Sequence, residues 1–112
     1  MKLGFATIGI LGFVTTCFPL EAESAKVRGR EVFQTKGCMQ CHSIGGVGGS
    51  KGPRLDAVGK RLKKDQIEHQ IQQGSLAMPS FADALSPDEL HTLVEYLHSC
   101  NRDLPLQKTG NK

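Results

Sequence analysis

Cys38-Met39-Gln40-Cys41-His42 constrains this chain more than any other five residues. Two cysteines three apart, followed directly by a histidine, form a C-x-x-C-H run, which reads as an attachment site for a c-type haem. The spacing has a physical basis. On one helical turn, positions i, i+3 and i+4 fall on nearly the same face. Two thiols so placed reach the two vinyl groups of one porphyrin, while His42 presents an imidazole to the iron. Two other chemistries use paired cysteines. A redox-active C-x-x-C follows a strand and opens a helix, and no β-rich stretch precedes Cys38. A zinc site needs four ligands, and no second C-x-x-C or H-x-x-x-H supplies the other pair. The expected cofactor is one haem c, held by thioether bonds to Cys38 and Cys41.

Downstream, Ala77-Met78-Pro79-Ser80-Phe81 offers a sixth ligand to the iron. Thioether sulfur is soft, and paired with His on the opposite side it raises the reduction potential. Pro79 prevents helix here and restricts Met78 to an extended conformation, so a loop can present the sulfur from a defined direction. Methionine alone is ordinarily a core gap-filler. A haem site 36 residues upstream turns the expectation toward ligation. Met39 lies inside the attachment turn and is expected to point away from the iron. His69, His91 and His98 fall in polar-patterned helices, where a solvated histidine is the ordinary outcome.

Ahead of the motif, Met1-Lys2 is a short basic start and Leu3 to Leu20 is an uncharged stretch, broken sharply by Glu21, Glu23, Lys26 and Arg28. This order reads as a secretory signal peptide cleaved after Ala22 or Ser24. A retained anchor is the second reading, weakened by the Gly, Thr and Pro19 within the stretch. Lipidation of Cys17 is the third, weakened by the Thr before it. Either alternative would tether the protein to a membrane. Export, into the periplasm and free in solution, is the expected destination. Four cysteines in an exported chain would ordinarily suggest two disulfides, but Cys17 falls in the leader and two more belong to the motif. Cys100 is left over, read first as an inert buried thiol and second as a partner for another chain.

The chain is 112 residues long, and loss of the leader leaves about 90, enough for one small domain and too few for a multidomain enzyme. Domains of that size bury a modest share of their surface and often rely on a cofactor, metal or disulfide. Five Phe, one Tyr and no Trp make a large protein-only core unexpected. The net charge of +3 is too small and too dispersed to mark a nucleic-acid binder. Three helices are predicted. The first runs from Ala25 to Lys36 with Val27, Val32 and Phe33, and Gly37 ends it. A second covers Lys64 to Gln73, with Ile67 and Ile71 one turn apart and Gly74 as its stop. The last, Pro87–Cys100, has Ser86 as N-cap, proline in its first turn and Glu89 closing a capping box. Leu90, Leu93, Val94 and Leu97 give it an inward face, with Tyr96 beside it. Gly45–Ser50 reads as a flexible loop without a phosphate-binding pattern, and the polar Asn101–Lys112 as a fraying tail.

Taken together and in this order, these segments resemble a small class I c-type cytochrome from Ala25 to Cys100. Gly29-Arg30-Glu31-Val32-Phe33 is similar to the family's N-terminal helix, with Gly29 and Phe33 at the contact with the last helix. Lys51-Gly52-Pro53-Arg54-Leu55 resembles the segment whose proline carbonyl accepts the proximal imidazole's Nδ1–H. Met78-Pro79 matches the distal loop, and Ser86–Leu90 with Val94–Leu97 the C-terminal helix. The resemblance implies an all-α fold of three to five short helices around one haem, with the terminal helices crossing. With the leader and the polar end read above, the chain divides into a signal peptide (1–22), a cytochrome c domain (23–100) and a tail (101–112). It assigns Cys38, Cys41, His42, Pro53 and Met78 to cofactor binding, with His42 and Met78 on the metal. Many larger members place a Trp near a haem propionate; this chain has none, and Arg54, Lys60 and Arg61 are candidate substitutes.

With both axial positions filled, no open iron site remains for substrate, so a one-electron carrier is expected rather than an enzyme. Electrons would pass at the exposed haem edge during brief docking with other redox proteins. Lys36, Lys51, Lys60, Arg61, Lys63 and Lys64 are candidates to steer an acidic partner. A labile Met78 would instead give a haem sensor, a small-ligand binder or a weak peroxidase. A third reading is an electron-transfer subunit fixed in a membrane or dehydrogenase complex.

Overall fold

The computed structural model describes residues 20–102 and, singly, Gly4, Gly9 and Gly12. The rest of the expected leader, Cys17 included, and the expected tail beyond Arg102 lie outside the described residues. The described chain is helix-rich, in keeping with the all-α expectation. Its elements are α1 (Leu20–Thr35), β1 (Ser43–Ile44), β2 (Val47–Gly48), α2 (Val58–Arg61), α3 (Lys64–Gln73) and α4 (Pro87–Ser99). No described helix is long and apolar enough to cross a membrane.

Helix α4 forms as its sequence dictates. Ser86 Oγ accepts the Glu89 backbone N–H (3.2 Å), and the Glu89 carboxylate accepts that of Ser86 (2.8 Å), so two otherwise orphaned donors are satisfied reciprocally. Leu93, Val94 and Leu97 are buried, and Leu90 packs half-buried against them. Helix α3 keeps its expected bounds, with Ile67 and Ile71 buried on one face. Together with Val32, Phe33 and Val58 these residues make the core. Each fully buried aliphatic or aromatic side chain contributes about 1.5–3 kcal/mol.

Helix α1 departs from expectation in two ways. The described helix already includes Leu20–Ser24, ahead of the expected start at Ala25, and Glu21 and Glu23 lie in that stretch. Val27, grouped by pattern with Val32 and Phe33, is 63% exposed. Five residues at about 100° each carry it about 140° around the helix from Val32. The buried stripe is instead Ala25, Gly29, Val32 and Phe33. This stripe lies on α4. A β-carbon at Gly29 would overlap the Thr92 carbonyl oxygen, so glycine here permits the backbones to meet. The Phe33 and Tyr96 rings pack tilted, with centroids 6.1 Å apart.

Two small elements were not expected. Gly45–Ser50 is not wholly a loop: β1 and β2 pair antiparallel, Ser43 with Gly48 and Ile44 with Val47. Gly45 and Gly46 both have positive φ (63° and 78°), as a tight two-residue hairpin turn requires. The single turn α2 is too short to carry a periodicity, and Val58 is its buried anchor. Gly59 N–H donates to Cys100 O (2.8 Å) and Arg102 N–H to Asp56 O (3.1 Å). The chain leaving α4 is thus bound to the segment around α2.

Candidate haem c site

Gly37 breaks α1, and the chain winds directly into a 3-10 turn over Cys38–Gln40. Cys38 O accepts the backbone N–H of both Cys41 (3.2 Å) and His42 (2.9 Å), so the two cysteines and the histidine belong to one turn. Cys38 and Cys41 are not joined to each other by a disulfide, and both are half-buried. Burial pushes the Cys38 thiol above its ordinary value, against a smaller lowering by its own backbone hydrogen bond.

His42 is held from two sides. Its Nδ1 lies 2.8 Å from the Pro53 carbonyl oxygen. A carbonyl only accepts, so Nδ1 carries the proton and Nε2 keeps its lone pair. Gly52 backs the ring so closely that a β-carbon there would stand 2.5 Å from Cε1 and 2.7 Å from Nδ1. The backbone zips the two segments together: Gly52 N–H donates to Cys41 O (2.7 Å) and Leu55 N–H to Ser43 O (3.0 Å). Asp56 completes this arrangement. It is 7% exposed, accepts the Gly45 N–H at 2.6 Å, and pairs with Arg54 Nε at 3.2 Å.

Met78 lies in the loop between α3 and α4, half-buried against the core. The last turn of α3 fastens that loop on both sides of the methionine. Gly74 N–H donates to Gln70 O, Phe81 N–H to Ile71 O (3.0 Å) and the Ser80 hydroxyl to Gln72 O. Ser75 N–H reaches Met78 O at 2.8 Å. The Gln70 side-chain amide approaches the sulfur itself, with Nε2 3.7 Å from Sδ.

These residues fit a c-type haem. Two thiols on one turn, an imidazole of fixed tautomer and a loop thioether are the donors such a group takes. The Gly52 cradle is shaped to the imidazole, and Ile44, Leu55, Leu62, Met78, Phe81 and Leu85 supply half-buried apolar surface.

The remaining residues singled out from sequence have varied placements. His69 and His91 are exposed and His98 half-buried. Met39 is half-buried against the core. Arg54 is engaged with Asp56, and Arg61 donates to Arg54 O (3.2 Å). Of the candidate steering lysines, Lys36 pairs with Glu89 (3.3 Å) and Lys64 with Glu95 (2.6 Å). Cys100 is half-buried, its thiol donating to Tyr96 O (3.4 Å), and burial raises its pKa with a smaller push from Asp56. Sequence reasoning passed over Asp56 and Gln70. Gln70 carried a readable signal: it follows Ile67 by three positions and precedes Ile71, which sets it at the margin of the buried face of α3.

The cytochrome c oxidase, cbb3-type, subunit III family model matches residues 24–97, about two thirds of the chain. Cytochrome c oxidase subunit 2 from Alkalihalophilus pseudofirmus is 29% identical over 91 residues, an alignment covering 69% of this chain. It covers 26% of that relative, so the chain spans about a quarter of the relative's length. No solved structure matches the chain significantly. A c-type cytochrome domain carries haem c covalently and takes part in electron transport, and Cys38 and Cys41 stand in position for its attachment motif. The match extends from within α1 almost to the end of α4, and the chain belongs to the family of c-type cytochrome domains represented by subunit III of the cbb3-type cytochrome c oxidases.

Proposed function

We propose that the protein is an exported one-electron carrier whose haem c is ligated by His42 and Met78. The observation that carries this reading is the 2.8 Å contact between His42 Nδ1 and the Pro53 carbonyl. It fixes the tautomer that leaves Nε2 available, and such a bond raises the basicity of a ligating imidazole. Cys38 and Cys41 would hold the group covalently, and Met78 would supply the sixth ligand from a loop fastened at both ends. When bound, haem c supplies a one-electron ferric/ferrous couple. The chain's own part is to orient the two ligands, exclude water with Leu55, Phe81 and their neighbours, and keep ligation unchanged between oxidation states. No step in this task calls for a substrate, so it is a carrier's role rather than an enzyme's. Other redox proteins would dock briefly at the haem edge, with free protein in the periplasm after loss of residues 1–22.

The family match and the oxidase-subunit relative favour a second reading beside the first. In it, the same His42/Met78 domain serves as the electron-transfer module of a larger oxidase complex. The two differ in partner and tethering, not in the chemistry of the site.

Absorption spectra of the protein made in a host that attaches haem c test the ligand set. They are taken oxidised, reduced, and reduced under carbon monoxide. The expected spectrum is low-spin, with the weak red band of ferric haem–methionine ligation, and indifferent to carbon monoxide. In Met78→Ala that band is lost and carbon monoxide binds. A high-spin spectrum, or one that Met78→Ala leaves unchanged, would overturn the assignment and favour a haem sensor or catalyst.

A further inference from the structure

We propose that Asp56 is a positioning residue for His42: its carboxylate fastens the β1–β2 turn to the segment that carries the Pro53 carbonyl, and so keeps that carbonyl on the imidazole Nδ1–H. The proposal rests on the reading of His42 as an iron ligand and concerns what holds its partner in place. Pro53 cannot anchor itself by donation, since proline has no backbone N–H. Residues 52–56 belong to no helix or strand. They are tied instead to every second residue from Cys41 to Gly45. Gly52 N–H donates to Cys41 O, Leu55 N–H donates to Ser43 O, and the Asp56 carboxylate accepts from Gly45 N–H at 2.6 Å.

That third tie is made by a side chain, and both of its groups need it. Gly45 is the first central residue of a two-residue turn, so its N–H lies outside the Ile44–Val47 ladder pair and has no strand partner. Asp56 is buried, and a carboxylate out of water must be met by donors. Gly45 N–H meets Oδ1, and Arg54 Nε meets Oδ2 at 3.2 Å. The Asp56 backbone is itself held, its carbonyl accepting the Arg102 N–H beyond α4. A charged acceptor on a fastened backbone thus grips a turn that its two positive-φ glycines would otherwise leave free to hinge. If the turn swings, Ser43 O moves with it, the Leu55 tie slackens, and the Pro53 carbonyl drifts from Nδ1.

The test is proton exchange in the reduced holoprotein, followed by NMR at the His42 Nδ1–H and the Gly45 amide, together with the reduction potential. In wild type both protons should be protected and should exchange through one opening, with the same dependence on dilute denaturant. Asp56→Ala should speed exchange at Nδ1 about tenfold, the order expected for losing a hydrogen bond to a charged group. Asp56→Asn keeps an acceptor oxygen for Gly45 and should stay near wild type. Its amide no longer pairs with Arg54, but that side chain is partly exposed and can turn to water. The potential separates positioning from charge. Both variants lose the same negative charge, but only Asp56→Ala slackens the Nδ1 bond, which makes the imidazole a weaker donor to iron and favours the ferrous state. Its potential should therefore lie above that of Asp56→Asn. The positioning role is refuted, while His42 ligation stands, if the wild-type Gly45 amide exchanges without protection, if Asp56→Ala leaves Nδ1 exchange unchanged, or if the two potentials coincide. The first of these readings needs no variant, so it serves even where Asp56→Ala fails to fold. If reduced wild type is high-spin and shows no protected Nδ1–H, the ligand reading fails and the role of Asp56 falls with it.

Discussion

The imidazole of His42 has no freedom left to choose its tautomer or its plane. The Pro53 carbonyl fixes the first and Gly52 the second. The Gly52 position is the more exacting, because a single methyl group there would stand 2.5 Å from Cε1. That is well inside van der Waals contact, so either the ring turns or the 52–55 segment retreats. Either movement lengthens the Nδ1–Pro53 bond. Gly52→Ala is therefore expected to cost about 1–3 kcal/mol, the usual range for an added group in a packed site. For a domain of this size that lowers the thermal midpoint by about 4–8 °C per kcal/mol. On the proposed ligation by His42, the matching spectroscopic change in the holoprotein is partial high-spin character. An unchanged midpoint and an unchanged spectrum would show that Gly52 does not set the plane of the ring.

At the scale of elements, the helix termini hold most of what was legible in advance. The start of α4 is written in Ser86, Pro87 and Glu89, and the structure shows both arms of the capping box. Ser86→Ala removes the hydroxyl that accepts the Glu89 N–H and should cost about 1 kcal/mol, measurable by denaturant titration. Ser86→Asp, which keeps an acceptor, should cost little; equal losses in the two variants would place the effect outside the cap. Helix α3 was legible for the same reason, from Ile67, Ile71 and the stop at Gly74. What escaped was whatever lacks a period. Helix α2 is one turn long, and the β1–β2 hairpin is two residues a side, too short for alternation to register. Its Gly45-Gly46 pair, flanked by Ile44 and Val47, was nonetheless a recognisable turn signal. In α1 a pattern of large apolar residues includes the exposed Val27 and leaves out the buried Ala25. Small side chains mark the closest helix contact, and apolar size alone does not reveal it. The site divides in the same way. Cys38, Cys41, His42, Pro53 and Met78 sit in local motifs. Asp56 and Gln70 matter through folded contacts, with Gly45 and with Met78 Sδ respectively.

The described chain is a two-helix clasp, α1 on α4, with α3 laid against α4 and the site segments strung between them. Ion pairs cross each of these contacts: Arg28–Asp88 joins α1, and Lys36–Glu89 the residue just after α1, to the start of α4, and Lys64–Glu95 joins α3 to α4. Exposed pairs of this kind are individually weak, yet their placement makes the assembly of helices sensitive to pH. Glu89 is held below the usual carboxylate range chiefly by the Ser86 backbone N–H, then by Lys36. Glu95 is held low chiefly by its hydrogen bond from Lys64. A carboxyl whose pKa is lower folded than unfolded stabilises the fold above its unfolded value, and that stabilisation is lost as pH falls through the folded value. The thermal midpoint should thus be nearly flat from pH 7 to about 5, and then decline below about pH 4.3. Glu95→Gln keeps the acceptor oxygen but removes the titration, so its midpoint should start slightly lower at pH 7 and fall less steeply in acid. The two curves should converge in acid, once wild-type Glu95 is itself neutral. Parallel curves with no convergence would show that the α3–α4 contact draws its stability from Ile67, Ile71 and Leu93 alone, and that the Lys64–Glu95 pair is a surface ornament of the packed helices rather than a part of what holds them together.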